Sequence, residues 1–191
     1  MYEIKKYSDN LDLSFFYQRC AMKGFKNNSS KEKLVDIFKN EKDYQLYILY
    51  YNNKPVGSTA FHSFDDVMGE NSYRICVRTC VLTDELDIRN IRPLSNIIKK
   101  HQNVSSQIYM PLCIKSTPKN SNLYITTSDK EKASMRLMHK IVFPELGKMG
   151  VVKNIKNIIY KGTEQTIWQL FPDLYLKSLE RYPRWEYRLI S

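Results

Sequence analysis

Ser134-Met135-Arg136-Leu137-Met138-His139-Lys140-Ile141-Val142-Phe143 is the stretch on which the fold turns. Ser134, Leu137, Met138 and Ile141 recur at helical spacing, so an amphipathic helix is expected over 131–142, with Pro144 as its stop. Just upstream, Leu123-Tyr124-Ile125-Thr126-Thr127 has the β-branched and aromatic content of a short strand. Lys119–Asn122 reads as the loop before that strand. A second helix is expected from Ser105 or Ser106 to about Ser116, its first turns bent or delayed by Pro111.

Further upstream, Tyr73–Thr83 reads as a long strand. Strict alternation would put Tyr73, Ile75, Val77, Thr79 and Val81 on one face and Arg74, Cys76, Arg78, Cys80 and Leu82 on the other. Two more β-rich runs precede it, Tyr44–Tyr51 and Val56–Ser63, joined by the turn Asn52-Asn53-Lys54-Pro55. Asp65–Asn71, with Gly69, is a second turn, so the three runs form an antiparallel meander. Before them come a weak strand at Tyr2–Tyr7 and two helices. The first carries Leu13, Phe16, Tyr17, Cys20 and Ala21 and ends at Gly24; the second opens with the capping box Ser29-x-x-Glu32. Thr83–Asn103 reads as an extended connection. Downstream, Val151–Tyr160 and Gln165–Phe171 fit a closing hairpin, although Val152, Ile155, Ile158 and Ile159 fit a helix equally well. From Pro172 onward one short helix and an aromatic-basic tail are expected. The class is α/β, with a mixed, mostly antiparallel sheet flanked by helices.

The chain has 191 residues, 42% of them apolar and 13% aromatic, enough for one sizeable core. No apolar run reaches the ~20 residues of a membrane span, and Met1–Lys6 lacks a signal-peptide pattern. A cytoplasmic protein with no membrane association is therefore expected. Net charge is +10 and uneven, +1 through Ser95 and +9 from Asn96 onward. Such a half favours anionic partners: a phosphorylated cofactor, nucleic acid or an acidic protein. Cys20, Cys76, Cys80 and Cys113 form no C-x-x-C pair and have no histidine at metal-ligand spacing, so reduced thiols and no metal site are expected.

The element order resembles that of the GNAT acyltransferases, the Gcn5-related N-acetyltransferase superfamily. Three phrases carry the resemblance: Lys54-Pro55-Val56-Gly57-Ser58, like the turn into the family's third strand; Leu123–Thr127, like its fifth; and Ser134–Phe143, similar to the family cadence A-R-R-L-Y-E-K-L-G-F. The cadence is also similar to GNAT-like proteins of tailed marine phages, which would place the chain in a host cytoplasm. The resemblance spans roughly residues 1–171, leaving 172–191 as a helix and tail packed on the domain or on a partner subunit, with a homodimer allowed. It implies transfer of an acyl group, acetyl in the first instance, from acetyl-CoA or another acyl-CoA to an amine. The strands Tyr73–Thr83 and Leu123–Thr127 would splay, and the pantetheine arm would pair with the first, its thioester near Thr79–Leu82. Cofactor contacts would come from Cys80, Val81, Leu82 and Ser134. The pyrophosphate would lie on the amides opening the helix at Ser105.

Departures from the family pattern are equally specific. Gln102-Asn103-Val104-Ser105-Ser106-Gln107 stands where a phosphate loop Q/R-x-x-G-x-G/A is expected, with Ser105 for the first glycine and Gln107 for the last small residue. Arg89 and Arg92, in the insertion before this loop, are further phosphate candidates. The tyrosine that serves the family as general acid falls on Met138, which has no proton to give. His139, next to it, and His62 and Glu85, at strand ends, are the remaining candidates for acid–base work. A second function class stays open: a GNAT-shaped protein without catalysis, binding nucleic acid or protein through its basic C-terminal half.

Overall fold

The computed structural model describes residues 2–7, 40–81, 105–130, 136, 138–160, 162–180 and 187–190. Eight strands form one sheet: β1 (Tyr2–Lys6), β2 (Gln45–Tyr51), β3 (Lys54–Ser63), β4 (Ser72–Val81), β5 (Asn122–Thr127), β6 (Val152–Tyr160), β7 (Thr163–Leu170) and β8 (Tyr187–Ile190). Their order across the sheet is β6-β7-β5-β4-β3-β2-β1-β8. Only β4–β5 and β1–β8 run parallel; the other neighbours are antiparallel. The meander β2–β3–β4 and the closing hairpin β6–β7 match the sequence reading, and the helical alternative for Val152–Ile159 is set aside. The C-terminal tail contains a strand, β8, that extends the sheet beyond β1 through the register Tyr2↔Tyr187 to Lys5↔Ile190. The two helices expected before Glu41 and the connection 82–104 lie outside the described residues.

Among the described residues four short α-helices accompany the sheet: α1 (Asp65–Met68), α2 (Met110–Ser116), α3 (Phe143–Lys148) and α4 (Pro172–Leu179). Prolines shape two of the helical segments, the first as expected and the second not. Ser105–Tyr109 is a wide π-helical turn that tightens to α2 at Met110, with Pro111 at the head of α2. Proline has no N–H to close an i→i−4 bond, so the turn before it is free to widen. Pro144 was expected to stop a helix, but the same arrangement recurs: a π-helical turn at Met138–Val142 runs into α3, with Pro144 in the first α-turn. At the head of a helix the fixed φ of proline is already helical. Asp65–Met68, expected as a plain turn, is a helical turn that ends at Gly69 with φ +88°.

The core lies mainly on one face of the sheet. Ile4, Leu49, Phe61, Ile75, Leu123, Ile125, Trp168 and Leu170 pack there against Ile108, Tyr109, Leu112 and Cys113 of the first π/α segment and Phe143 of the second. The opposite face carries a smaller cluster of Phe64, Tyr124, Tyr160 and Ile167. Helices over 105–116 and 138–148 thus cover the face onto which β4 and β5 open.

Candidate functional site

Two strands that start together and then part company define the site. β4 and β5 pair at Ser72↔Asn122, Tyr73↔Leu123 and Arg74↔Tyr124, and no further. β4 continues to Val81 along β3, while β5 continues to Thr127 along β7. Beyond Arg74 the backbone edge of β4 that faces β5 has no strand partner among the described residues. Parallel neighbours normally continue their ladder, so this opening is a built feature rather than a frayed end.

The alternation expected along β4 fails, because β4 is bulged twice. The register against β3 slips between Ser58 and Ala60 and again between Ala60 and His62, each slip adding a residue to β4. Cys76 takes up part of this with φ of 56°, a left-handed conformation unusual for a residue with a side chain. The consequence is a change of face: Cys76, expected opposite Ile75, packs with Ile75 against the main core. Thr79 Oγ1 donates to the Cys76 carbonyl at 2.8 Å and lies 3.0 Å from Thr59 Oγ1, supplying partners that the ladder no longer gives. The Cys76 thiol is pushed well above the ordinary thiol value, first by its hydrogen bond to Cys113 and then by burial. Both sulfurs are free thiols. Bulges turn backbone groups away from β3, which suits a strand that must offer them elsewhere.

At the closed end of the opening, Arg74 crosses from β4 to its neighbours. Its Nε donates to Thr126 Oγ1 at 3.0 Å and Nη2 to Gln165 Oε1 at 3.1 Å, while the guanidinium stacks 4.8 Å from the Tyr160 ring centre. Asp65 anchors the start of β4 by accepting the Ser72 N–H at 3.0 Å and the Lys42 ammonium at 2.9 Å. These contacts, the Ser72 bond first, lower its carboxyl pKa to about 2.

At the open end, Thr127 closes β5. Its Oγ1 accepts the Trp168 indole N–H at 2.9 Å and is 2.9 Å from His139 Nδ1. His139 belongs to the π-helical turn Met138–Val142, whose Met138 packs into the core. Neither Thr127 nor Trp168 was a candidate in the sequence; a threonine ending a strand carries no spacing signal, and a tryptophan on a strand reads as core.

The other expected site residues distribute as follows. Cys80 and Val81 form the outer end of β4, opposite Ser58 and Gly57. Ser105, Ser106 and Gln107 open the π-helical turn that leads into α2. The Gln107 side-chain Oε1 is buried and accepts no hydrogen bond among the described residues. Leu82, Glu85, Arg89, Arg92, Gln102 and Ser134 lie outside the described residues. His62 does not reach the opening at β5: it is 2% exposed, with Nδ1 2.6 Å from the Ser63 carbonyl oxygen and 3.5 Å from Glu41 Oε2, and its ring stacks 6.3 Å from that of Tyr44. It is 77 residues from His139 in sequence.

A mixed sheet whose fourth and fifth strands diverge, bulged on the fourth and covered by helices at both borders of the gap, is a distinctive arrangement. The fold is that of the GNAT N-acyltransferases. A GNAT acetyltransferase from Elizabethkingia anophelis, solved with acetyl-CoA bound, superposes with a TM-score of 0.51 at 15% identity, over 88% of this chain and 97% of its own. The aminoglycoside N-acetyltransferase AAC(6')-Ib11 gives 0.50 at 10% identity, over 92% and 99%. BjaI, a CoA-dependent acyl-homoserine lactone synthase solved with SAM and isopentyl-CoA, gives 0.51 at 10% identity, over 100% and 94%. No protein-family profile matches the sequence, and no curated protein does. At these identities the GNAT likeness is one of architecture.

Proposed function

We propose that the chain is an acyl-CoA-dependent N-acyltransferase that moves an acetyl group to a primary amine. The observation that carries this reading is the opening of the β4–β5 ladder after Arg74. A pantetheine arm carries two amides, and a bulged strand with an unpaired edge offers backbone partners to such a group as it would to an added strand. The residues present fit the group. The Gln107 Oε1, buried and without a donor among the described residues, suits an incoming amide N–H. The amides opening the segment at Ser105 and Ser106 suit a pyrophosphate, although Ser105 and Gln107 bring side chains where the family pattern has glycine or another small residue. Acyl-CoA supplies an activated thioester. The protein contributes position, amide donors near Cys80 and Val81, and exclusion of water by the helical cover on the core face. Two of the structures cited above, the acetyltransferase solved with acetyl-CoA and the CoA-dependent synthase, are named with a CoA thioester, which supports the same donor.

For the acceptor, the side of the sheet near the closing hairpin is the approach we favour. An open depression of about 690 Å³ lies between Lys130, three residues beyond Thr127, and Asn157–Ile159 and Gly162–Glu164 of the hairpin. Lys130 and Glu164 form an exposed ion pair across it, a carboxylate for which an amine would compete. Glu85, beyond the end of β4, is our candidate for the base that takes the amine proton.

A thermal-unfolding series with acetyl-CoA, free CoA and a short DNA duplex tests the proposal. A ligand that binds the folded state alone raises the midpoint. We expect both CoA species to raise it, and the Ser105→Glu/Ser106→Glu double variant to abolish the rise. A rise with DNA alone, lost at higher salt, would instead make the chain a nucleic-acid-binding protein on this fold.

A further inference from the structure

The Trp168–Thr127–His139 chain has a direction that its donors and acceptors fix. An indole N–H only donates, so Thr127 Oγ1 accepts from Trp168. Thr127 is 2% exposed, so its single hydroxyl proton needs an acceptor inside the protein. Among the described residues the remaining partner is His139 Nδ1. The hydroxyl therefore donates to Nδ1, and the neutral imidazole carries its proton on Nε2, which has no partner among the described residues. Trp168 is itself held: it is 6% exposed, its ring lies 5.4 Å from that of Phe143, and its backbone is in register with Ile125 of β5. Thr127 stands three residues past the last β4–β5 pair, where β5 has left β4 and runs along β7, about 10 Å from the closed end at ~3.3 Å per residue.

We propose that Trp168 and Thr127 are positioning residues that lock His139 as an Nε2–H donor at the mouth of the gap, where it hydrogen-bonds the sulfur of the acyl donor as that sulfur leaves. The inference rests on the acyltransferase reading and supplies the donor that Met138 lacks. In the transfer the carbon–sulfur bond breaks and a carbon–nitrogen bond forms. The amine nitrogen loses one proton and the sulfur gains one from solvent, while the imidazole keeps its own proton throughout and stabilises the charge on sulfur. The Thr127 bond is what makes this donor fixed: an imidazole free to exchange tautomers would present Nε2 without a proton part of the time.

Long-range proton–nitrogen correlation of the histidine rings in uniformly 15N-labelled protein tests the geometry without any activity. Wild type and Thr127→Ser should show His139 as the Nε2–H tautomer, whereas Thr127→Val and Trp168→Phe should show Nδ1–H or an exchange average. Free CoA added to wild type should shift the Nε2–H resonance. Thiol release from acetyl-CoA, with water or an added amine as acceptor, should fall about 100-fold in His139→Ala with KM for acetyl-CoA unchanged, the scale of one lost transition-state donor. An Nδ1–H tautomer in wild type, or identical spectra in Thr127→Val, overturns the relay while leaving acyl transfer standing. The expected tautomer with no response to CoA, and no midpoint rise with acetyl-CoA, overturns the role at sulfur together with the acyltransferase reading.

Discussion

Asn52 and Asn53 hold left-handed backbone, with φ of 48° and 61°, where β2 turns into β3. Two consecutive positive φ values give a turn whose twist matches that of the strands it joins, and asparagine tolerates the conformation better than other side-chain-bearing residues. Replacing Asn53 with valine should cost about 1–3 kcal/mol, because a β-branched side chain is strained at that φ, while Asn53→Gly should leave stability nearly unchanged. Urea unfolding of the pair measures the difference. This turn was legible because its chemistry is local. Cys76 shows the opposite case: its φ of 56° is imposed by the pairing of β4 with β3, and nothing in its neighbours in sequence announces a bulge. His139 was legible as a titratable residue beside Met138, but its partner Thr127 lies 12 residues back and is itself bonded by Trp168, 29 residues ahead of His139, separations that spacing cannot reveal.

The elements tell the same story through their ends. The meander and the closing hairpin could be read because β-rich runs meet turn residues at each end. Pro144 misled because proline breaks a helix interior yet is welcome in a first turn, and which of the two applies depends on where the α-helical ladder begins. The start of β4 depends on a charge. Asp65 accepts the Ser72 N–H and pairs with Lys42, and its carboxyl is held at about 2. An ordinary aspartate in the unfolded chain titrates near 3.9, about two units higher. The folded value being the lower, this carboxylate stabilises the fold above about pH 4 and loses that contribution as pH falls towards 2. Asp65→Asn should therefore flatten the acid side of the stability curve between pH 4 and 2, as read by urea midpoints at successive pH values. An unchanged slope there would mean that Asp65 does not hold β4.

At the scale of the molecule, the described sheet is eight strands wide, and its ladder is interrupted between β4 and β5. The sheet, the two π/α segments and the buried Leu112, Cys113 and Phe143 hold the borders of that gap apart on the core face. In the sequence, Lys99 and Lys100 stand shortly before the segment that opens at Ser105, charges that suit a phosphorylated ligand. No helix among the described residues is long and apolar enough to cross a membrane. The central claim is that the free edge of β4 takes the arm of an acyl donor as a strand partner. Amide hydrogen exchange with and without saturating acetyl-CoA measures this directly. The account predicts slower exchange in β4 from Ile75 to Val81 and in the turn at Ser105–Tyr109, with β2 unchanged. Equal exchange along β4 in the two states, with acetyl-CoA present at saturation, would contradict it.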